Sequence, residues 1–237
     1  MSLLILVRHS QASVHADDYD QLSALGLEQA RQLGLHWAGL DLIFDQVCVG
    51  PRRRHRQTLE AVAAVYRERG LSWPEPTDLP EWDEYCGLEV FTRALPGLMQ
   101  RDPGLREMRE QLGKRSETAQ REYLRLFQKV TRMWVRGELN FPDLEAWPAF
   151  RARVQRGLAK ITEAAGRQKK VAVFTSAGPV AAATGFALNL DDEKTLELSW
   201  LVKNVACTEF LFSRGRFSLM AFNAMPPLTG PHLLTFI

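Results

Sequence analysis

A three-layer α/β/α sandwich with a mostly parallel central sheet is the fold this sequence predicts. Three observations lead there: short unbroken apolar runs bounded by polar residues, stretches of helical period between them, and 237 residues of which 46% are apolar. Apolar runs of this kind read as buried strands, and their alternation with helical patterns implies parallel pairing through crossover helices. A chain of this length buries one sizeable core, so residues 1–237 are expected to form a single domain.

The first strand is Leu3 to Val7, followed at once by Arg8, His9 and Ser10. Ligands of such sheets bind beyond the carboxyl ends of the strands, so His9 stands where a nucleophile or ligand contact would stand. The alternative for a histidine here is a hydrogen-bonded structural role. Arg8 adds a planar, always-charged donor suited to a phosphate or carboxylate. After the polar stretch His15 to Gln21, Leu27, Ala30, Leu33 and Trp37 recur at helical spacing and give the first crossover helix. Phe44 to Val49 reads as the second strand. It leads into PRRRHRQTLEAVAAVY, where Pro51 suits the first turn of a helix and Leu59, Val62, Ala63 and Tyr66 form its apolar stripe. Arg52, Arg53, Arg54, His55 and Arg56 crowd the start of that helix. A helix N-terminus already favours anions, so these arginines read as a phosphate site or, failing that, as a solvated basic surface.

Thr77 to Leu79 is the third strand, and LPEWDEY follows it. A carboxyl held neutral beside an anion site can protonate a leaving group; Glu81 is the first candidate and Glu84 the second. Val171 to Thr175 is the fourth strand and ends in SAGPVAAATGFAL, with Gly178 as a cap and Pro179 as the first helical residue. Thr208 to Phe212 and Phe217 to Phe222 form a closing hairpin. Residues 90–140 are helical in pattern, with Leu105, Met108 and Leu112 in one stripe and Tyr123, Leu126, Phe127, Val130 and Trp134 in the next. Pro96, Gly97, Pro103 and Gly104 interrupt it. The segment is longer than a crossover requires and reads as an inserted helical cap, with an extra packing layer or a homodimer contact as the alternatives.

Taken in order, these segments resemble the histidine phosphatase superfamily, which includes cofactor-dependent phosphoglycerate mutases and many small-molecule phosphatases. LVRHSQAS resembles the family's RHG signature with Ser10 for glycine, and PRRRHRQTLEAV resembles the segment whose catalytic arginine falls on Arg54. LPEWDEY resembles the acid-bearing segment and puts the acid on Glu81. The resemblance implies a phosphoglycerate mutase-like fold and a phosphatase acting on a small phosphorylated molecule through a phosphohistidine on His9, with Arg8, Arg54, Ser10, Ser176 and Ala177 contacting the phosphate. No cofactor and no metal are implied. The chain departs from the pattern where a second histidine and a glycine would stand: TSAG puts Ser176 and Ala177 there. Losing such a donor costs on the order of a hundred- to a thousand-fold in rate. A catalytically impaired member that binds a phosphorylated ligand or protein as a sensor or scaffold is therefore the alternative. No other histidine is an obvious replacement: His55 in the arginine cluster and His232 in the C-terminal tail could each fold in over the pocket. Ser176→His is expected to raise activity.

The net charge of +2 gives no general case for nucleic acid, and the basic clusters lack interleaved aromatics. Three widely spaced cysteines, Cys48, Cys86 and Cys207, suit a reducing compartment; Cys48 and Cys207 lie in strand-like runs and read as core residues. Neither a signal peptide nor a membrane-spanning run is apparent, so a cytoplasmic protein is expected.

Overall fold

The computed structural model describes residues 1–13, 20–101, 117–164, 168–228 and 230–235. Strands β1 (Ser2–Arg8), β2 (Gln46–Val49), β3 (Thr77–Asp78), β4 (Lys170–Thr175), β5 (Cys207–Ser213) and β6 (Arg216–Ala224) form one sheet in the spatial order β3-β2-β4-β1-β5-β6. The first four strands in that order run parallel, and β5 and β6 are antiparallel. The described helices are α1 (Ala24–Gly39), α2 (Arg53–Glu68), α3 (Gly87–Arg101), α4 (Glu117–Val135), α5 (Trp147–Ala164), α6 (Ala177–Leu188) and α7 (Asp192–Ser199).

Strand β1 is apolar on both faces because both are covered. Ile5 and Val7 pack with Ala30 and Leu33 of α1 and Val62 and Tyr66 of α2. Leu4 and Leu6 point the other way by the two-residue strand period and are equally buried, on the side where α6 packs against β1. This is the α/β architecture that the sequence predicts, with helices in two layers about a mostly parallel sheet.

Register brings the parallel strands to one level at their carboxyl ends. Arg8 lies opposite Thr175, Val49 opposite Phe174, and Cys48 opposite Thr77. The backbone then ties the next residues together: His9 N–H donates to Thr175 O at 2.8 Å, Gly50 N–H to Phe174 O at 2.9 Å and Leu79 N–H to Val49 O at 2.9 Å. Side chains that follow different strands therefore start from neighbouring positions.

Two helix starts differ from expectation. α2 begins at Arg53 with Arg52 as its N-cap, so Pro51 precedes the helix. α6 begins at Ala177 with Ser176 as N-cap, two residues ahead of Pro179. Pro179 still falls in the first turn, where a missing N–H leaves no intrahelical bond unmade. Cys48 and Cys207 are core residues, and burial pushes the Cys48 thiol up to about 12, far from a nucleophile's range.

The chain divides into two compact units, Met1–Glu84 with Arg151–Ile237, and Tyr85–Phe150. The second unit contains α3, α4 and the first turn of α5. α3 runs through Pro96 and Gly97, where the sequence suggested a break. Leu126, Val130 and Trp134 of α4 are buried as their spacing implies, and Tyr85 rings with Trp134, Trp147 and Phe150 at centroid distances of 5.9, 5.9 and 5.7 Å. Pro103, Gly104, Leu105, Met108 and Leu112 lie outside the described residues. Among the described residues no helix is long and apolar enough to cross a membrane.

Candidate active site

His9 leaves the end of β1 with only 5% of its surface exposed. Its Nδ1 is 2.8 Å from the carbonyl oxygen of Ser10. A carbonyl can only accept, so Nδ1 carries the proton and Nε2 keeps its lone pair. Burial, then the charges of Arg54, Arg8 and His55, hold the ring well below the ordinary histidine pKa. The imidazole is thus held neutral, with Nε2 unprotonated.

Two guanidinium groups flank it, both close enough to shift its pKa. Arg8 is anchored by Nη1 on the carbonyl oxygen of Val202. Arg54, 7% exposed in the first turn of α2, donates from Nη1 to Asp20 Oδ1 at 2.7 Å and from Nη2 to Ser176 Oγ at 3.3 Å. Elsewhere in the arginine cluster, Arg52 pairs with Asp83 and Arg56 with Asp78. Asp20 also accepts the backbone N–H of Arg53 at 2.8 Å and so caps α2, whose own N-cap side chain makes no capping bond. Asp20 carries no local sequence signal for this place, since its partners lie 33 and 34 residues away.

Ser176 and Ala177 sit at the start of α6, both buried. The Ser176 hydroxyl meets the Nε2 of His55 at 2.6 Å. His55 is fully buried, and its ring centroid lies 5.8 Å from that of His9. Helix period gives a signal for this placement, because residues 55, 59, 62 and 66 share one face and His55 heads the apolar stripe. His232 is exposed in a short 3-10 turn, Pro231–Leu233. Ser10, expected at the phosphate, turns its hydroxyl to Thr58 Oγ1 at 3.1 Å, and its N–H donates to the same oxygen at 3.1 Å.

The two carboxylates of the LPEWDEY segment part company. Glu81, in the 3-10 turn Pro80–Trp82, pairs with Lys160 of α5. Burial alone would raise its carboxyl, but hydrogen bonds from Lys160 and its own backbone, with the charges of Lys160 and Arg156, hold it below the usual range. Glu84 instead reaches the first turn of α6, accepting the N–H of Gly178 at 3.1 and 3.3 Å. Arg153 fixes this segment by donating to the carbonyls of Glu81 and Asp83 at 3.0 Å and of Glu84 at 3.4 Å.

A second layer of hydrogen bonds steadies His9 from behind. Asn204 Nδ2 donates to the His9 carbonyl at 3.0 Å, and Thr235 Oγ1 donates to Asn204 Oδ1 at 2.9 Å. Gln29, fully buried, donates to Leu233 O and Thr235 Oγ1 at 2.8 Å and accepts the N–H of Gln11 at 2.8 Å. Val205 holds φ at 54°, a costly region for a β-branched residue, while its N–H donates to Arg8 O at 3.1 Å. Among the described residues no group of three His, Cys, Asp or Glu side chains is arranged to hold a metal ion.

Comparison with known proteins agrees with this geometry at the level of fold. A phosphoglycerate mutase from Bacillus anthracis superposes with a TM-score of 0.62 at 18% identity, covering 94% of this chain and 93% of that one. An alpha-ribazole phosphatase from Shigella flexneri gives 0.61 at 21% identity, covering 96% and 100%. A phosphoserine phosphatase from Entamoeba histolytica, solved in complex with 3-phosphoglyceric acid, gives 0.60 at 16% identity, covering 99% and 100%. No curated protein matches the chain in sequence. The family model for the histidine phosphatase superfamily (branch 1) matches residues 4–89 and 87–225. A match running from the strand before His9 to the end of the closing hairpin makes this chain a member of the histidine phosphatase superfamily.

Proposed function

We propose that the chain is a phosphoric monoester hydrolase that cleaves a small phosphorylated molecule through a phosphohistidine on His9. The observation that carries this reading is the state of the His9 ring: neutral, with Nδ1 committed to the Ser10 carbonyl and with the charges of Arg54 and Arg8 close enough to lower its pKa. Nε2 attacks phosphorus in line, the P–N bond forms and the ester P–O bond breaks, while Arg8 and Arg54 hold the non-bridging oxygens. Phosphoryl transfer asks chiefly for positioning and charge stabilisation, which paired guanidinium groups and the starts of α2 and α6 supply. Glu84 gives its proton to the leaving oxygen. It then takes a proton from water, whose oxygen displaces the imidazole from phosphorus and releases inorganic phosphate. Glu84 is preferred to Glu81 because it stands at the start of α6, two residues from Ser176, whereas Lys160 occupies Glu81.

One observation favours a second reading, a phosphate-binding sensor with little turnover. The Asp20 carboxylate already occupies Arg54 Nη1 and the first N–H of α2, donors that a phosphate would use. Incubation with a generic aryl phosphate followed by alkaline denaturation, which preserves phosphohistidine, separates the two. Label on His9 and turnover abolished in His9→Ala support the hydrolase; bound phosphate without label or turnover supports the sensor.

A further inference from the structure

We propose that His55 is the second imidazole of this site and acts on the bound phosphoryl group through the Ser176 hydroxyl. The inference rests on the hydrolase reading and adds a positioning residue to it.

Donor and acceptor rules fix one of the two hydrogen bonds, and the tautomer of His55 sets the other. A guanidinium only donates, so Ser176 Oγ accepts from Arg54 Nη2 at 3.3 Å; with the ring proton on Nδ1, the hydroxyl donates to Nε2 of His55 at 2.6 Å. The other ring nitrogen, Nδ1, lies against the backbone of Gly50. Nδ1 makes no full hydrogen bond there, yet the Gly50 backbone favours a proton on that side. Burial first, then Arg54 and Arg52, keep the ring neutral while no anion is bound. The chain of contacts therefore runs from Arg54 through Ser176 to a basic imidazole nitrogen. It is a short, fully buried hydroxyl–imidazole pair beside the attacking ring.

Such a pair can take up one proton without moving a heavy atom. A phosphomonoester arriving as a monoanion passes its P–OH proton to Ser176 Oγ as Oγ passes its own to His55 Nε2. The phosphoryl group is left dianionic, facing the Ser176 O–H with an imidazolium behind it. Nothing is consumed, and the proton returns when phosphate leaves. A neutral serine thereby presents positive charge that its own side chain does not have.

The seat for the ring is built by an absence. A Cβ on residue 50 would lie 2.5 Å from His55 Nδ1 and 2.6 Å from the Trp82 carbonyl oxygen, distances that real Cβ atoms do not show. Gly50 is thus required where the ring sits. The same geometry reverses the expectation for Ser176→His: an imidazole grown from residue 176 would run into His55.

The test exchanges the position of the imidazole, with turnover of an aryl phosphate and binding of vanadate as readouts. His55→Gln fills the seat but cannot take up the proton, and is expected to lower turnover about a hundredfold with an unchanged melting temperature. Ser176→Ala is expected to do the same, and the two together no more than either alone. Ser176→His alone is expected to lose activity, whereas H55A/S176H regains turnover and vanadate affinity to within about tenfold of the parent. Parental turnover and vanadate affinity in His55→Gln overturn the proposal, as do multiplying losses or a folded H55A/S176H that regains nothing. A parent chain that binds no vanadate and forms no phosphohistidine would overturn the hydrolase reading itself.

Discussion

The two buried imidazoles are held in opposite ways. His9 is steered by its chain neighbour, the Ser10 carbonyl, and its other nitrogen is kept basic beside two arginines. His55 has one nitrogen on a hydroxyl 121 residues away and the other against Gly50. Both rings are kept neutral by burial and by neighbouring positive charge. In the proposed reaction, what separates their chemistry is the group facing Nε2: a lone pair left for phosphorus would make a nucleophile, and a lone pair given to a hydroxyl would make a proton store. The difference lies in environment, since the residue type is the same.

Removing the nucleophile is the harshest way to break that comparison. His9→Ala is expected to lower kcat by at least about a thousandfold with phosphate binding retained, read by steady-state kinetics and calorimetry. The two carboxylates provide the next contrast. Glu84→Gln is expected to lower kcat about a hundredfold and Glu81→Gln by less than about threefold, so equal losses would show that the acid is not decided by contact with α6.

Acid is expected to destabilise the fold through both rings. The unfolded chain takes up their protons near the ordinary histidine value of about 6.5, whereas the folded chain resists, so the unfolded state binds more protons as pH falls. Their contribution to stability is complete above that pH and is lost below it, by up to about 1.4 kcal/mol per pH unit for each ring. Chemical denaturation between about pH 8 and about pH 5 checks this, and His55→Gln should remove one ring's share of the slope. The smallest effect is assigned to Asp20. Asp20→Asn removes a negative charge from beside Arg54, so inorganic phosphate should bind a few-fold more tightly, while the weakened cap of α2 costs about 1 kcal/mol in thermal unfolding.

What the sequence made legible was whatever depends on near neighbours. The buried runs placed β1, β2 and β4, and the position of His9 and Arg8 at a strand end followed from one short stretch. Arg54 was readable because a helix start concentrates donors, although nothing in PRRRHR distinguished the arginine that turns inward from those that pair with Asp83 and Asp78. The partnership of His55 with Ser176 depends on the β2–β4 register and on which side of α2 faces that junction. Helix period alone gives half of that, by aligning His55 with Leu59 and Val62. The choice between Glu81 and Glu84 hinged on the brief turn Pro80–Trp82 ending in the extended Asp83, which sends side chains three residues apart in different directions. The start of α6 was misplaced because Ser176 was weighed only as a phosphate ligand, although serine is also a favoured N-cap.

Thr235 reaches the backbone of His9 in two steps, through Asn204 to the His9 carbonyl. Cleavage before Leu233 would take from the buried Gln29 amide its acceptors at Leu233 and Thr235, and from Asn204 Oδ1 its donor, and so loosen the floor under the His9 ring.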